Sequence, residues 1–142
     1  MPVKQLRIKM ENKPGQLSVL SELLGEHGVN IRAIGVSHMR GEDSDVCIVV
    51  DDPKMARDAL KAKGFEHTEN EVLAVEMPDH PGGMNAVLKP LKEAHINAIT
   101  VYPYIGRASN PIMIIEVDHI KKAVDVLKHN WVRVWDKSVY KL

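Results

Sequence analysis

The chain has 142 residues, enough for one ordinary domain or two very small ones. Its 19 Lys and Arg balance 19 Asp and Glu, which argues against a nucleic-acid binder or a polybasic membrane contact. A single cysteine, Cys47, excludes an intrachain disulfide; with no apolar signal core in "MPVKQLRIKM" and no apolar run long enough to span a bilayer, the expected location is the cytoplasm.

"VKQLRIKM" alternates, with Leu6, Ile8 and Met10 on one face and Arg7 and Lys9 on the other, so it reads as a strand. "NKPGQLSVL" then places Pro14-Gly15 at the entrance of a helix over 15–27, with Leu17, Leu20, Leu23 and Leu24 at helical spacing. Gly28 is its left-handed stop. "VNIRAIGVSHM" is a second strand, 41–44 a turn cluster, and "DVCIVVD" a third strand. Asp52 caps a helix whose first residue is Pro53; it runs to about Lys63 and stops at Gly64. A last strand is expected within 65–70. The order β-α-β-β-α-β is the split-βαβ, ferredoxin-like pattern of the α+β class, with an antiparallel sheet.

The pattern then repeats. An offset of 67 residues aligns the chain on itself without a gap. Leu6 meets Leu73, Met10 meets Met77, Pro14-Gly15 meets Pro81-Gly82, Asn30 meets Asn97, Arg40 meets Arg107, and Asp51 meets Asp118. Two such copies divide the chain into domains over 1–70 and 71–142, with helices in the second near 82–94 and 120–128. Units of this size bury a small share of their surface. Both alternating faces of "VCIVV" and "PIMII" are apolar, so the open side of each sheet should be covered by the other copy or by another chain. With zero net charge favouring association, at least a dimer is expected.

The Pro-Gly entrances carry the chemistry. Proline is harmless at a helix start, and glycine lets a ligand approach the backbone. The first N–H groups of a helix have no intrahelical partner, and with the helix dipole they suit a carboxylate. Asn12 and Asp79 stand just before the two entrances, and Asn30 and Asn97 begin the next strands; their oxygens suit an ammonium group. Together these groups suit a free amino acid. The same residues also fit a purely structural role, with Asn12 or Asp79 capping the helix and Asn30 easing the chain into its strand.

"MENKPGQLSVLSELLGEHGVNI" resembles the opening of an ACT domain, and "MPDHPGGMNAVLKPLKEAHINA" resembles a second. The resemblance covers essentially the whole chain as tandem ACT domains, which are typically regulatory modules that bind amino acids at a seam between two domains. It implies a regulatory protein that senses a free amino acid and controls a separate enzyme of amino-acid metabolism, with no enzymatic activity and no cofactor of its own. It also implies two half-sites. In one, Asn12 with Gly15, Gln16 and Leu17 is completed by Asn97 and Ala98. In the other, Asp79 with Gly82, Gly83 and Met84 is completed by Asn30 and Ile31. Met10 stands where serine-sensing relatives carry a ligand-contacting His, and His95 replaces the helix-stopping Gly.

Two other readings compete. One is an interaction or structural module without a ligand. The other is a metal-responsive regulator in which His38 and Cys47 meet across the hairpin "MRGEDSD", although two ligands fall short of a tetrahedral set. No Ser, His and acid set and no phosphate-cradling glycine loop points to an enzyme, and Asp51-Asp52 reads as a cap before Pro53. Tyr102 and Tyr104 flank Pro103, which marks a sheet edge or bulge.

Overall fold

The computed structural model describes residues 3–38 and 43–142, the side chain of His38 excepted. The chain divides into two compact units, one Lys4–Asn70 and the other Glu71–Leu142 with Val3 from the start of the chain. Among the described residues, no helix is long and apolar enough to cross a membrane.

The first unit runs β1 (Val3–Glu11), α1 (Gln16–Glu26), β2 (Ile31–His38), β3 (Asp43–Val50), α2 (Pro53–Ala62) and the first half of β4 (His67–Glu76). Its strands lie in the order β2-β3-β1-β4, with β3 antiparallel to both neighbours. The register sets Leu6 opposite Ile48 and Ile8 opposite Val46, so the apolar residues of the alternating strands share one face. That face meets Leu20, Leu23 and Leu24 of α1 and Ala56, Ala59 and Leu60 of α2 in one core. Leu17 is the exception among the expected core leucines: it is 46% exposed. The expected turn at 41–44 falls partly outside the described residues, while Asp43 and Ser44 already belong to β3.

The second unit repeats the plan with the second half of β4, α3 (Asn85–Glu93), β5 (Ala98–Pro103), β6 (Ile112–Val117), α4 (Ile120–His129) and β7 (Val134–Trp135). β6 is antiparallel to β4 and β5, and β7 pairs with β4 through Ala74–Trp135 and Val75–Val134. Its core joins Leu73, Val75, Val87, Leu91, Ile115, Ala123 and Leu127. Both units are therefore α+β βαββαβ folds.

Three features differ from the sequence reading. A single strand, β4, closes the first unit and opens the second, because "HTENEVLAVE" contains no Gly or Pro to break it. The last strand of the second unit is only two residues long and gives way to a 3-10 helix, Lys137–Lys141, started by Asp136 accepting from the Ser138 N–H at 2.8 Å. Finally, Cys47 and Val49 on the far face of β3, and Ile112 and Ile114 of β6, are buried within the chain. The two-faced apolar strands that pointed to a dimer therefore carry no argument for one.

The four α-helices among the described residues end in the same Schellman turn, in which a residue at positive φ follows the last turn. In the first unit it is Gly28 (φ 70°) and Gly64 (φ 76°); in the second it is His95 (φ 57°) and Trp131 (φ 63°). The next residue donates its N–H back to the helix at 2.9–3.0 Å: Val29 to Leu24, Phe65 to Leu60, Ile96 to Leu91, and Val132 to Leu127.

Candidate functional site

The first Pro-Gly entrance leaves the end of α1 open. Glu11 closes β1 and pairs with Lys13 at 2.8 Å. The hydrogen bond and charge of Lys13 hold the Glu11 carboxyl below the usual glutamate value. Gly15, at φ 87°, is the N-cap and offers no side-chain oxygen. The Gln16 N–H reaches the Lys13 carbonyl at 3.4 Å and the Val19 N–H takes the Gly15 carbonyl at 3.0 Å. Among the described residues, the N–H groups of Leu17 and Ser18 have no acceptor. Asn12 does not cap the helix, so the structural role that competed with ligand binding is not the one it plays. Instead Asn12, Gln16 and Leu17 line a cleft with Met10, Val36 and Ser44. Its volume of about 80 Å³ equals two or three water molecules.

The second entrance is built differently. The helix begins three residues later than expected, at Asn85, with Met84 as N-cap and no side-chain cap. Gly82 takes φ 80°, and a Cβ on Gly83 would lie 2.0 Å from the Pro78 carbonyl oxygen. That close approach folds residues 80–87 into a run of tight turns. The N–H groups of Gly83, Asn85, Ala86 and Val87 are donated within it, to the carbonyls of His80, Gly82, Gly83 and Met84 at 2.9–3.1 Å. Asp79 faces a separate cleft of about 280 Å³ formed with the β5–β6 loop, including Tyr104, Gly106, Ser109 and Asn110. Tyr102 is buried, and the Tyr104 hydroxyl donates to the Val139 carbonyl within its own unit.

Asn30 and Asn97 share one device. The Asn30 N–H donates to the Asp51 carboxylate at 2.9 Å, and the Asp51 N–H returns to the Asn30 carbonyl at 3.1 Å. Asn97 and Asp118 repeat this at 3.1 and 3.3 Å. Asp52, the neighbour of Asp51, caps α2 by accepting from the Met55 N–H at 3.1 Å. Both Asn side chains are exposed, and among the described residues neither amide group has a partner. Ile31 and Ala98 begin β2 and β5 just before matching β-bulges, and each packs against the core of its unit. The locking role of Asp51 and Asp118 was missed from sequence. The signal was present: both lie 21 residues after their Asn, in both copies.

Within the first unit, the entrance at 12–17 sits where Glu11 pairs with Asp43, whereas Ile31 pairs with Val50 at the other end of β3. A site using both sets would need two units. For the metal reading, the register sets His38 opposite Ser44, whereas Cys47 is opposite Gly35. The two residues do not face each other across the hairpin as expected, because the strands pair with Ser44 and not Cys47 at that level; the His38 side chain lies outside the described residues. No group of three or more His, Cys, Asp or Glu able to hold a metal occurs among the described residues.

A protein-family comparison matches residues 1–142 to the family described as "ACT domain pair". The chain belongs to this family. Protein BT0572 from Bacteroides thetaiotaomicron is similar over 100% of this chain and 98% of its own, at 28% identity and a TM-score of 0.90. The regulatory subunit of aspartate kinase from Thermus thermophilus, in its ligand-free form, shares the fold at 14% identity and a TM-score of 0.64, covering 92% of this chain and 93% of its own. The aspartate kinase of Clostridium acetobutylicum does so at 19% identity and 0.56, over 92% of this ACT domain pair but 33% of its own chain. No curated protein matches the sequence.

Proposed function

We propose that this ACT domain pair is a regulatory protein that binds a free amino acid and modulates a separate enzyme of amino-acid metabolism, acting in the cytoplasm as a homodimer. The observation that carries the reading is the open first turn of α1. Two backbone N–H groups without an acceptor stand at the positive end of a helix, beside an uncapping Asn12. A carboxylate there would accept from Leu17 and Ser18, with its ammonium against the Asn12 side-chain oxygen. The cleft is too small to enclose an amino acid, so a second wall is needed. Asn97 and Ala98 of a second ACT unit would supply it, since the backbone of Asn97 is already held by Asp118 and its amide is left over. The Asp79 entrance, with Gly82, Gly83 and Met84 facing Asn30 and Ile31, would be the weaker site. The N–H groups of Gly83, Asn85, Ala86 and Val87 are used within the turn, and Asp79 adds a negative charge that opposes a carboxylate.

Calorimetry against the twenty amino acids tests this. Asn12→Ala removes a hydrogen bond to a charged group, worth about 1.5–3 kcal/mol, and should weaken binding roughly 10- to 100-fold. The unfolding midpoint should hardly move, because Asn12 caps nothing. Asp79→Ala should cost less affinity. If no amino acid binds, or if Asn12→Ala leaves the affinity intact, the Pro-Gly entrances are only helix starts.

A further inference from the structure

The turn after α4 presents an indole to solvent. Trp131 is 96% exposed. It also stands at φ 63°, where a residue with a Cβ is strained, at the position that Gly64 fills in the first unit. Within one chain nothing offsets either the bare ring or the strained backbone, and the two together mark a side chain that is held out for a purpose. Tryptophan is enriched among the anchors of protein interfaces. A hole lies beside this knob. A cleft of about 590 Å³ in the second unit is lined by α4, β7 and the middle of β4. Its apolar lining is the open edge of that unit's core: Leu73 is buried, while Ile120, Val124 and Val134 pack against the same core and are half-buried. The counterpart of Val124 in the first unit is Arg57, whose long side chain reaches Glu69 at 3.2 Å; a valine is too short to do so.

Lys128 belongs to the cleft wall and Trp131 stands three residues on, so knob and hole lie at one end of one helix. The ring does not occupy the cleft of its own chain, since it is bare. A two-fold axis set between them lets each of two copies fill the other's cleft, which closes the assembly at two. We propose that this face is a contact between two copies of the chain, in which Trp131 of each enters the cleft of the other. The indole lies on Ile120, Val124 and Val134, and its N–H donates to Asp125, an exposed carboxylate of the α4 wall without a partner among the described residues. An aromatic side chain buries about 150–250 Å², so two of them and the walls they meet bury on the order of 800 Å². That is below the roughly 1,200 Å² of a stable complex, and the pair is a weak one, with a dissociation constant on the order of 100 µM. The contact uses no residue of the Pro-Gly entrances and stands independently of the amino-acid binding proposed for them.

The chain holds two tryptophans, so 5-fluorotryptophan gives two fluorine NMR signals, and Trp131→Gly identifies the one that belongs to Trp131. Between about 5 µM and 1 mM, the range in which so weak a pair assembles, that signal should shift reversibly with concentration. Sedimentation equilibrium should show monomers giving way to dimers over the same range. Trp131→Gly and Val124→Arg, each alone, should weaken the association at least tenfold. Mixed together they should associate more tightly than either alone, since one chain still offers a cleft and the other an indole. If Val124→Arg unfolds by circular dichroism, a nitroxide on Lys121→Cys, an exposed position of the cleft wall, replaces it; the native Cys47 is buried. Mixed with fluorinated protein, the nitroxide should broaden the Trp131 signal of the unlabelled chain. The proposal is overturned if the Trp131 signal ignores concentration, if folded Val124→Arg dimerises as before, if the mixture does no better than its components, or if the nitroxide leaves the signal sharp. Asn12→Ala should leave the association unchanged. A dimer that survives Trp131→Gly but not Asn12→Ala would belong to the amino-acid seam and sink this contact.

Discussion

Replacing Trp131 by glycine should stabilise the protein. Trp131 sits at φ 63° in the Schellman turn after α4 and is 96% exposed, so its ring forfeits almost no packing when removed. A non-glycine residue in the left-handed region carries about 1–2 kcal/mol of strain. Glycine's extra freedom in the unfolded chain takes back about 0.4–1 kcal/mol. The net expectation for Trp131→Gly is a gain of about 1 kcal/mol, or about 3–4 °C in midpoint for a chain of this size. Urea and thermal unfolding monitored by far-UV circular dichroism would measure it. The reverse change, Gly64→Trp at the equivalent turn of the first unit, should destabilise by a similar amount. An unchanged or lowered midpoint for Trp131→Gly would refute the strain account and mean that the exposed indole makes a stabilising contact of its own.

Other outcomes follow from neighbouring details. His95→Gly should also raise the midpoint, by somewhat less than Trp131→Gly, because the smaller His side chain crowds its backbone less at φ 57°. His119 has nearly the same backbone angles as Asp52 (φ −134° in both) but provides no side-chain cap to α4; His119→Asp should supply one and add about 0.5–1 kcal/mol in denaturant titrations. Gly83→Ala forces a Cβ against the Pro78 carbonyl, a backbone atom that cannot rotate away, and should cost about 2–3 kcal/mol by the same assay. The Glu11 carboxyl should titrate below an ordinary glutamate by NMR, and Lys13→Ala should bring it back up. Because its folded value lies below its unfolded one, the Glu11 contribution is present above the unfolded value and fades as pH falls through the folded one.

The strands and helices were legible because the repeat doubled every signal: alternation in β1 returned in β4, and Leu24 and Leu60 returned as Leu91 and Leu127. The Gly stops at 28 and 64 were read correctly from composition. Trp131 was not, since nothing about a tryptophan announces a positive φ; only its alignment with Gly64 does. Leu17 fits the apolar spacing of α1 yet faces the small cleft, because periodicity cannot tell the edge of a core from its centre. The late start of α3 was hidden too. It depends on Pro78 approaching Gly83 through space, and Pro78 stands where the first copy has Glu11.

Duplicated domains are commonly joined by an exposed linker that proteases find first. Here residues 67–76 are one β-strand, hydrogen-bonded to β1 and, from Leu73 on, in ladders with β6 and β7. A protease added to the native protein should therefore leave that junction whole and nick the chain elsewhere, in loops such as the one between β5 and β6. A gene cut at the same point would divide β4 and leave each half with only part of that strand. For this duplication the seam in the sequence lies inside a strand, so the two copies are joined by an element of the fold and not by a tether.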